Sequence, residues 1–201
     1  AGIGHEPRLC RSHPGFARGP YLARDAGDVT EQQKGLYLMP ELPEVETIRR
    51  GLATRLTGQT ITGIRVRQAQ LRHLVDVAAL QAEAVGRTIA SVDRRAKYLL
   101  VRLQPDRVLV LHLGMTGRLW VGPPVEHDAP HDHLIFHLGP QLELRFHDTR
   151  RFGMCFLTTE AELLHHPRLC HLGPEPLSEA FSGAYLLEQA RGLRKPVKNF
   201  L

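Results

Sequence analysis

"LELRFHD", residues 142–148, decides how the chain is read. Leu142, Leu144 and Phe146 alternate with Glu143 and Arg145, the period-2 pattern of a strand with one apolar and one polar face. This is the pattern of a half-buried strand. Six other runs share this character: "TITGIRVRQ" (60–68), "KYLLVRL" (97–103), "RVLVLHLG" (107–114), "GRLWVG" (117–122), "HLIFHL" (133–138) and "GMCFLTT" (153–159). All are rich in β-branched or alternating apolar residues and are separated by Gly, Pro and Asp. "LGPQ" at 138–141 reads as a hairpin turn. So many short strands without long helices between them predict a mainly β, α+β chain built on a sandwich or barrel.

The strands are preceded by "MPELPEVETIRRG", residues 39–51. From Pro43 to Leu56 the residues Val45, Ile48, Leu52 and Leu56 recur at helical spacing, with Gly58 as a stop. Glutamates crowd the start, where they complement the positive end of the helix dipole, and Glu46 is read as helping that terminus. "HLGPEPLS" (171–178) reads as a connector, after which Ser178 is expected to cap a helix running to about Arg191, with Gly192 ending it. The predicted organisation is residues 1–38 as an unstructured extension or a mis-set start, 39–171 as a β domain with an N-terminal helix, and 172–201 as a linker plus the first part of a helical domain. Lys34-Gly35, encodable by a purine run of ribosome-binding type, stands three codons before Met39, so Met39 is the expected start.

Composition is that of a globular protein, 42% hydrophobic and 23% charged. A net charge of +5, carried mostly by arginine, favours an anionic partner, nucleic acid before a membrane surface. Cys10, Cys155 and Cys170 form no CxxC pair, so no cysteine zinc site or disulfide framework is read. Without an apolar leader, a cytoplasmic setting is expected. In "HDH" (131–133) the two histidines share one strand face, but the spacing supplies no third ligand, so no metal site is expected in this chain.

"MPELPEVET", "RRAKYLL", "HLGMTG", "HDH", "DTRRFG" and "HLGPEPLS" come in the order and spacing of the bacterial formamidopyrimidine-DNA glycosylases, which residues 39–201 resemble. Leu42-Pro43-Glu44 is similar to this purine-repair branch rather than to its endonuclease VIII-type sisters. The resemblance implies a β-sandwich catalytic domain followed by the start of a helix–two-turn–helix domain. It implies a monomer that excises 8-oxoguanine and formamidopyrimidines from damaged double-stranded DNA and then cleaves the abasic site. Pro40, freed by removal of Met39, would be the nucleophile and Glu41 the general acid. Lys97 would assist elimination, and Glu44 would support the base pocket. His131, Arg150 and Lys198 would contact DNA, and Met115 and Phe152 would fill the gap left by the flipped nucleotide with Arg150. The family's single zinc ion is held by a four-cysteine finger whose ligands are not in this chain. Thr149 departs from the proline that many members carry, and Leu193 from a basic position. A catalytically dead sandwich that only binds DNA is the alternative.

Overall fold

The computed structural model describes residues 40–194 and 196. The expectations for residues 1–38 and for Lys198 lie outside the described residues. Helix α1 (Leu42–Leu56) opens the described chain, followed by β1 (Gly63–Val66), α2 (Val77–Glu83), β2 (Ile89–Arg95), β3 (Tyr98–Leu103) and β4 (Arg107–His112). Then come β5 (Arg118–Gly122), β6 (Asp132–His137), β7 (Glu143–His147), β8 (Met154–Thr158), α3 (Glu160–Leu163) and α4 (Gly183–Ala190). The strands form two antiparallel four-stranded sheets, in the orders β1-β6-β7-β5 and β2-β3-β4-β8. The fold is therefore α+β, with a β-sandwich at its centre, as the strand pattern predicts.

Period 2 explains which residues meet between the sheets. Leu99, Val101, Leu109, Leu111 and Cys155 from one sheet face Leu134, Phe136, Leu144 and Phe146 from the other in a single core. The alternate residues Leu100, Val108 and Val110 point outward, where Leu163 of α3 and Leu169 of the following loop cover them. Thus β3 and β4 are buried on both faces and read as continuous apolar runs. Burial pushes the Cys155 thiol up, so it is an inert core residue. Strand β2 was not legible as one: "IASVDRR" carries little apolar periodicity, and its pairing with β3 places it.

The polar face of β7 differs from the expectation. Glu143 and Arg145 are buried, at 3% and 2% exposure. The Arg145 guanidinium donates to Asp128 Oδ1 at 2.8 Å, to Asp132 Oδ2 at 3.3 Å and to Glu143. Glu143 also pairs with His137 Nδ1 at 2.9 Å, and Arg65 Nη1 reaches Asp128 Oδ2 at 2.7 Å. Charges that find partners within the protein no longer require water, so alternation predicted the direction of the side chains but not their exposure. The helix after the connector also begins later than expected. Ser182 caps α4 by accepting from Tyr185 N, whereas Ser178 Oγ donates to Glu175 O and closes a turn.

The buried network yields a first prediction. Arg145→Met removes the guanidinium shared by Glu143 and Asp132 and is expected to destabilise the fold by about 3–5 kcal/mol, read as a lowered urea midpoint. An unchanged midpoint would mean that these carboxylates do not depend on Arg145.

Candidate active site and nucleic-acid interface

Helix α1 starts where Glu41, in extended conformation, ends the preceding segment, with proline at the first helical turn. Glu44 accepts the Glu41 backbone N–H at 3.0 Å, closing the reciprocal pattern of a capping box. Val45, Leu52 and Leu56 bury the opposite side of the helix, which packs against β2. The exposed Glu41 carboxylate is thereby held at the helix terminus beside Pro40, and there it makes an ion pair with Lys97 Nζ. Sequence separation is 56 residues, so only the packing of α1 on the sheet brings them together.

Lys97 sits on the tight turn between β2 and β3, next to Ala96 at φ 49°. A carboxylate from the connector holds this left-handed turn. Glu175 accepts from Ala96 N at 2.6 Å, Arg94 Nη1 at 2.7 Å and Arg95 Nη1 at 2.9 Å. Arg94 Nε also donates to Glu46 at 3.1 Å, and Glu46 further accepts from Arg49 and Arg50. Glu46 is thus not merely a helix-terminus charge, as the sequence suggested; it fastens α1 to the Lys97 turn. The Arg49 hydrogen bond, then those of Arg50 and Arg94, hold its carboxyl at about 2 against burial that opposes them.

A second group gathers at the end of the sheet. Gln70, Leu71, Arg72, His112, Gly114, Met115, Arg150, Arg151 and Phe152 line an open cavity of about 600 Å³. Met115 follows β4, while Arg150 and Phe152 belong to the loop between β7 and β8. Phe152 is 39% exposed, and the Arg150 guanidinium lies 4.6 Å over its ring. The two loops touch. Gly114, at φ 63°, leaves no room for a side chain, since a Cβ there would lie 2.5 Å from the Phe152 carbonyl.

His112 joins the two groups. It lines the cavity and lies against Tyr98, the two rings tilted by 49° with centroids 4.7 Å apart. Burial, followed by the positive charges of Arg72 and Lys97, brings its pKa down to about 4. Its Nδ1 accepts the Gly114 N–H at 3.0 Å, which leaves the proton of the neutral ring on Nε2. His112 is therefore a neutral hydrogen-bond donor at neutral pH. Sequence reasoning missed it, together with Arg72, Arg151 and Glu175. The signal for His112 was its place in "HLGMTG", three residues before Met115.

Of the predicted residues, the structure brings Glu41, Glu44 and Lys97 together beside Pro40, and it gathers Met115, Arg150 and Phe152 round the cavity. His131 stands apart from the cavity lining. It is exposed, at φ 71°, and its ring lies 6.1 Å from that of His133 and 5.9 Å from that of His147. His133 is instead a buried structural donor, 2.7 Å from the Asp148 carbonyl. Among the described residues no group of three or more His, Cys, Asp or Glu could hold a metal ion. No described helix is long and apolar enough to cross a membrane.

A two-sheet sandwich with an acid–lysine pair at a helix terminus, next to a cavity carrying arginines and exposed apolar side chains, has the make-up of a nucleic-acid enzyme domain. Residues 39–155 match the formamidopyrimidine-DNA glycosylase N-terminal domain, and the chain belongs to that family. The formamidopyrimidine-DNA glycosylase of Teredinibacter turnerae is 45% identical over 163 residues, covering 81% of this chain and 59% of that protein. That of Edwardsiella ictaluri is 49% identical over 163 residues, again 81% of this chain and 59% of the relative. The chain thus spans about three-fifths of the length of these curated relatives. The Lactococcus lactis enzyme, solved non-covalently bound to DNA containing an AP site, superposes with a TM-score of 0.73 at 33% identity, covering 80% of this chain and 61% of that one. Its complex with a FAPY-dG containing DNA gives 0.74 at 33% identity, covering 80% and 60%.

The Glu46 cluster has a pH signature. A carboxyl whose folded pKa lies below its ordinary 4.5 stabilises the fold above pH 4.5, and this contribution is lost as pH falls toward about 2. Glu46→Gln is expected to cost about 1–2 kcal/mol at pH 7, with the gap to the parent protein narrowing at pH 3. Urea midpoints at both pH values check this, and an equal gap at both would refute it.

Proposed function

We propose that this chain is the catalytic portion of a bifunctional DNA glycosylase and AP lyase that excises oxidised purines, 8-oxoguanine and formamidopyrimidines, from duplex DNA. The observation that carries the reading is the ion pair of Glu41 with Lys97 beside Pro40. The paired acid and amine lie at the residue that follows Pro40, and His112, which feels the Lys97 charge, links them to the cavity edged by Arg150, Phe152 and Met115. The complexes of the Lactococcus lactis relative with lesion-containing DNA support the choice of ligand.

In this reading the damaged nucleotide leaves the stack so that its sugar becomes accessible. Pro40, once its nitrogen is a free secondary amine with a pKa of roughly 8, attacks C1′. In the printed sequence Pro40 follows Met39, and an amide nitrogen is not a nucleophile, so the reading includes processing that frees Pro40. Glu41 protonates the opening sugar oxygen, the base leaves, and an iminium links Pro40 to the sugar. Lys97, positioned by the Glu175-held turn, stands near the phosphate and assists the eliminations. Glu44 fixes the backbone of Glu41 rather than reacting. Neutral His112, with Arg72, offers donors to phosphate oxygens without requiring imidazole protonation. Arg150, Phe152 and Met115 occupy the vacated position. His131 and Lys198 are assigned to the DNA backbone, and zinc to the parts of the protein outside this chain. The protein acts as a monomer in the cytoplasm.

The native gene product is expected to be trapped covalently by borohydride on duplexes containing 8-oxoguanine, with Pro40 as its N-terminal residue by sequencing. Glu41→Gln should lower excision by about 10²–10⁴-fold while leaving DNA affinity intact. Failure to trap, with the N-terminus blocked upstream of Pro40, would favour the DNA-binding sandwich without catalysis. Undiminished excision by Glu41→Gln would remove its role as acid.

A further inference from the structure

We propose that Asp148 is a positioning residue that joins the turn bearing Met115 and the loop bearing Arg150 and Phe152 into one rigid wedge. The inference rests on the duplex-DNA reading above and goes beyond it by saying what sets the spacing of the wedge.

Asp148 is fully buried at the end of β7. Its Oδ1 accepts from Thr116 Oγ1 and, at 3.3 Å, from Arg150 N; its Oδ2 accepts from Gly153 N at 2.7 Å. These donors are neutral groups from two loops more than thirty residues apart in sequence. Thr116 Oγ1 also accepts from Arg150 N at 3.2 Å, so the link runs through both ends of the hydroxyl. The Asp148 carbonyl in turn receives the buried His133 Nε2–H at 2.7 Å, tying the junction to β6. Gly114 brings the backbones into contact at the same place.

The carboxylate thus supplies several hydrogen bonds, and without it the buried Gly153 N–H would be left unsatisfied. Met115 lies one residue from Thr116, and Arg150 and Phe152 flank the loop that Asp148 closes. Their relative placement is therefore set by hydrogen bonds and not by loop length. A wedge already ordered in the free protein loses less conformational freedom when it enters a duplex, so insertion is faster and more complete.

Thr116→Val keeps the side-chain shape and removes the hydroxyl; Thr116→Ser restores it. 2-Aminopurine opposite an abasic-site analogue in a duplex reports unstacking of the orphaned base when the wedge enters. The native protein and Thr116→Ser should show the fluorescence rise, with Thr116→Val at least about tenfold slower and Asp148→Asn in the same direction. The salt dependence of binding should be unchanged in Thr116→Val, because the phosphate contacts remain, while the lost hydrogen bond lowers the melting temperature by a few degrees and leaves the protein folded at the assay temperature. A normal rise in Thr116→Val, or an equal slowing in Leu163→Ala, which lowers stability from the far side of the sheet, overturns the positioning role. If the native protein gives neither the fluorescence rise nor a borohydride adduct, the duplex reading fails and this proposal fails with it. A native signal that is merely insensitive to Thr116 removes the coupling alone.

Discussion

The two loops that carry Met115, Arg150 and Phe152 are joined by one buried carboxylate. Asp148 collects the Thr116 hydroxyl and the backbone N–H groups of Arg150 and Gly153, and through its carbonyl it receives His133. Without an acceptor at that point, the buried Gly153 N–H would have nothing to bond and the Thr116 hydroxyl would lose its tie to the loop after β7. With it, two loops that each cross from one sheet to the other become one surface, which edges the cavity with Met115, Arg150 and Phe152. The core between the sheets supplies the stability, and Asp148 decides where the loops stand.

The acid–lysine pair is organised by a different means. Glu46 and Glu175 bracket Arg94, one from α1 and one from the connector after α3. Glu175 also grips Arg95 and the Ala96 N–H, so the turn that presents Lys97 is held from outside the sandwich. Partly buried ion pairs of this kind contribute more to geometry than to net stability. Their effect is to let a half-exposed lysine and an exposed glutamate meet at a defined place although neither is anchored by apolar packing. Both devices place reactive or inserting side chains on rigid supports, which matches the proposed chemistry, where groups must be in place before the sugar arrives.

Much of this was legible in the sequence, for reasons that differ between elements. Strands β3, β4, β6 and β8 carry dense β-branched or apolar runs, and period 2 separates the residues of the central core from those covered by α3. Helix α1 was readable from Val45, Ile48, Leu52 and Leu56 and from the proline at its start. Strand β2 was not, because its hydrogen bonds come from β3 and its arginines serve the site. The start of α4 was misread because Ser178 and Ser182 have equal capping chemistry, and only the Glu175 turn consumes the first. Of the site, Glu41, Lys97, Met115, Arg150 and Phe152 were reached through motif order, whereas His112 and Glu175 needed the structure to show what they touch.

The sequence by itself determined which residues alternate, where helices can begin, and that the chain carries the motif series of a DNA-repair family. Those properties are local or collinear, so one dimension suffices to read them. Only the tertiary structure decided that Arg145 and Glu143 are buried, that Glu46 reaches Arg94 on β2, and that Glu41 meets Lys97. The physical reason is that a charged side chain is free to be buried or exposed according to whether partners distant in sequence converge on it. Convergence is a property of how the sheets stack and the loops close, and no local pattern encodes it.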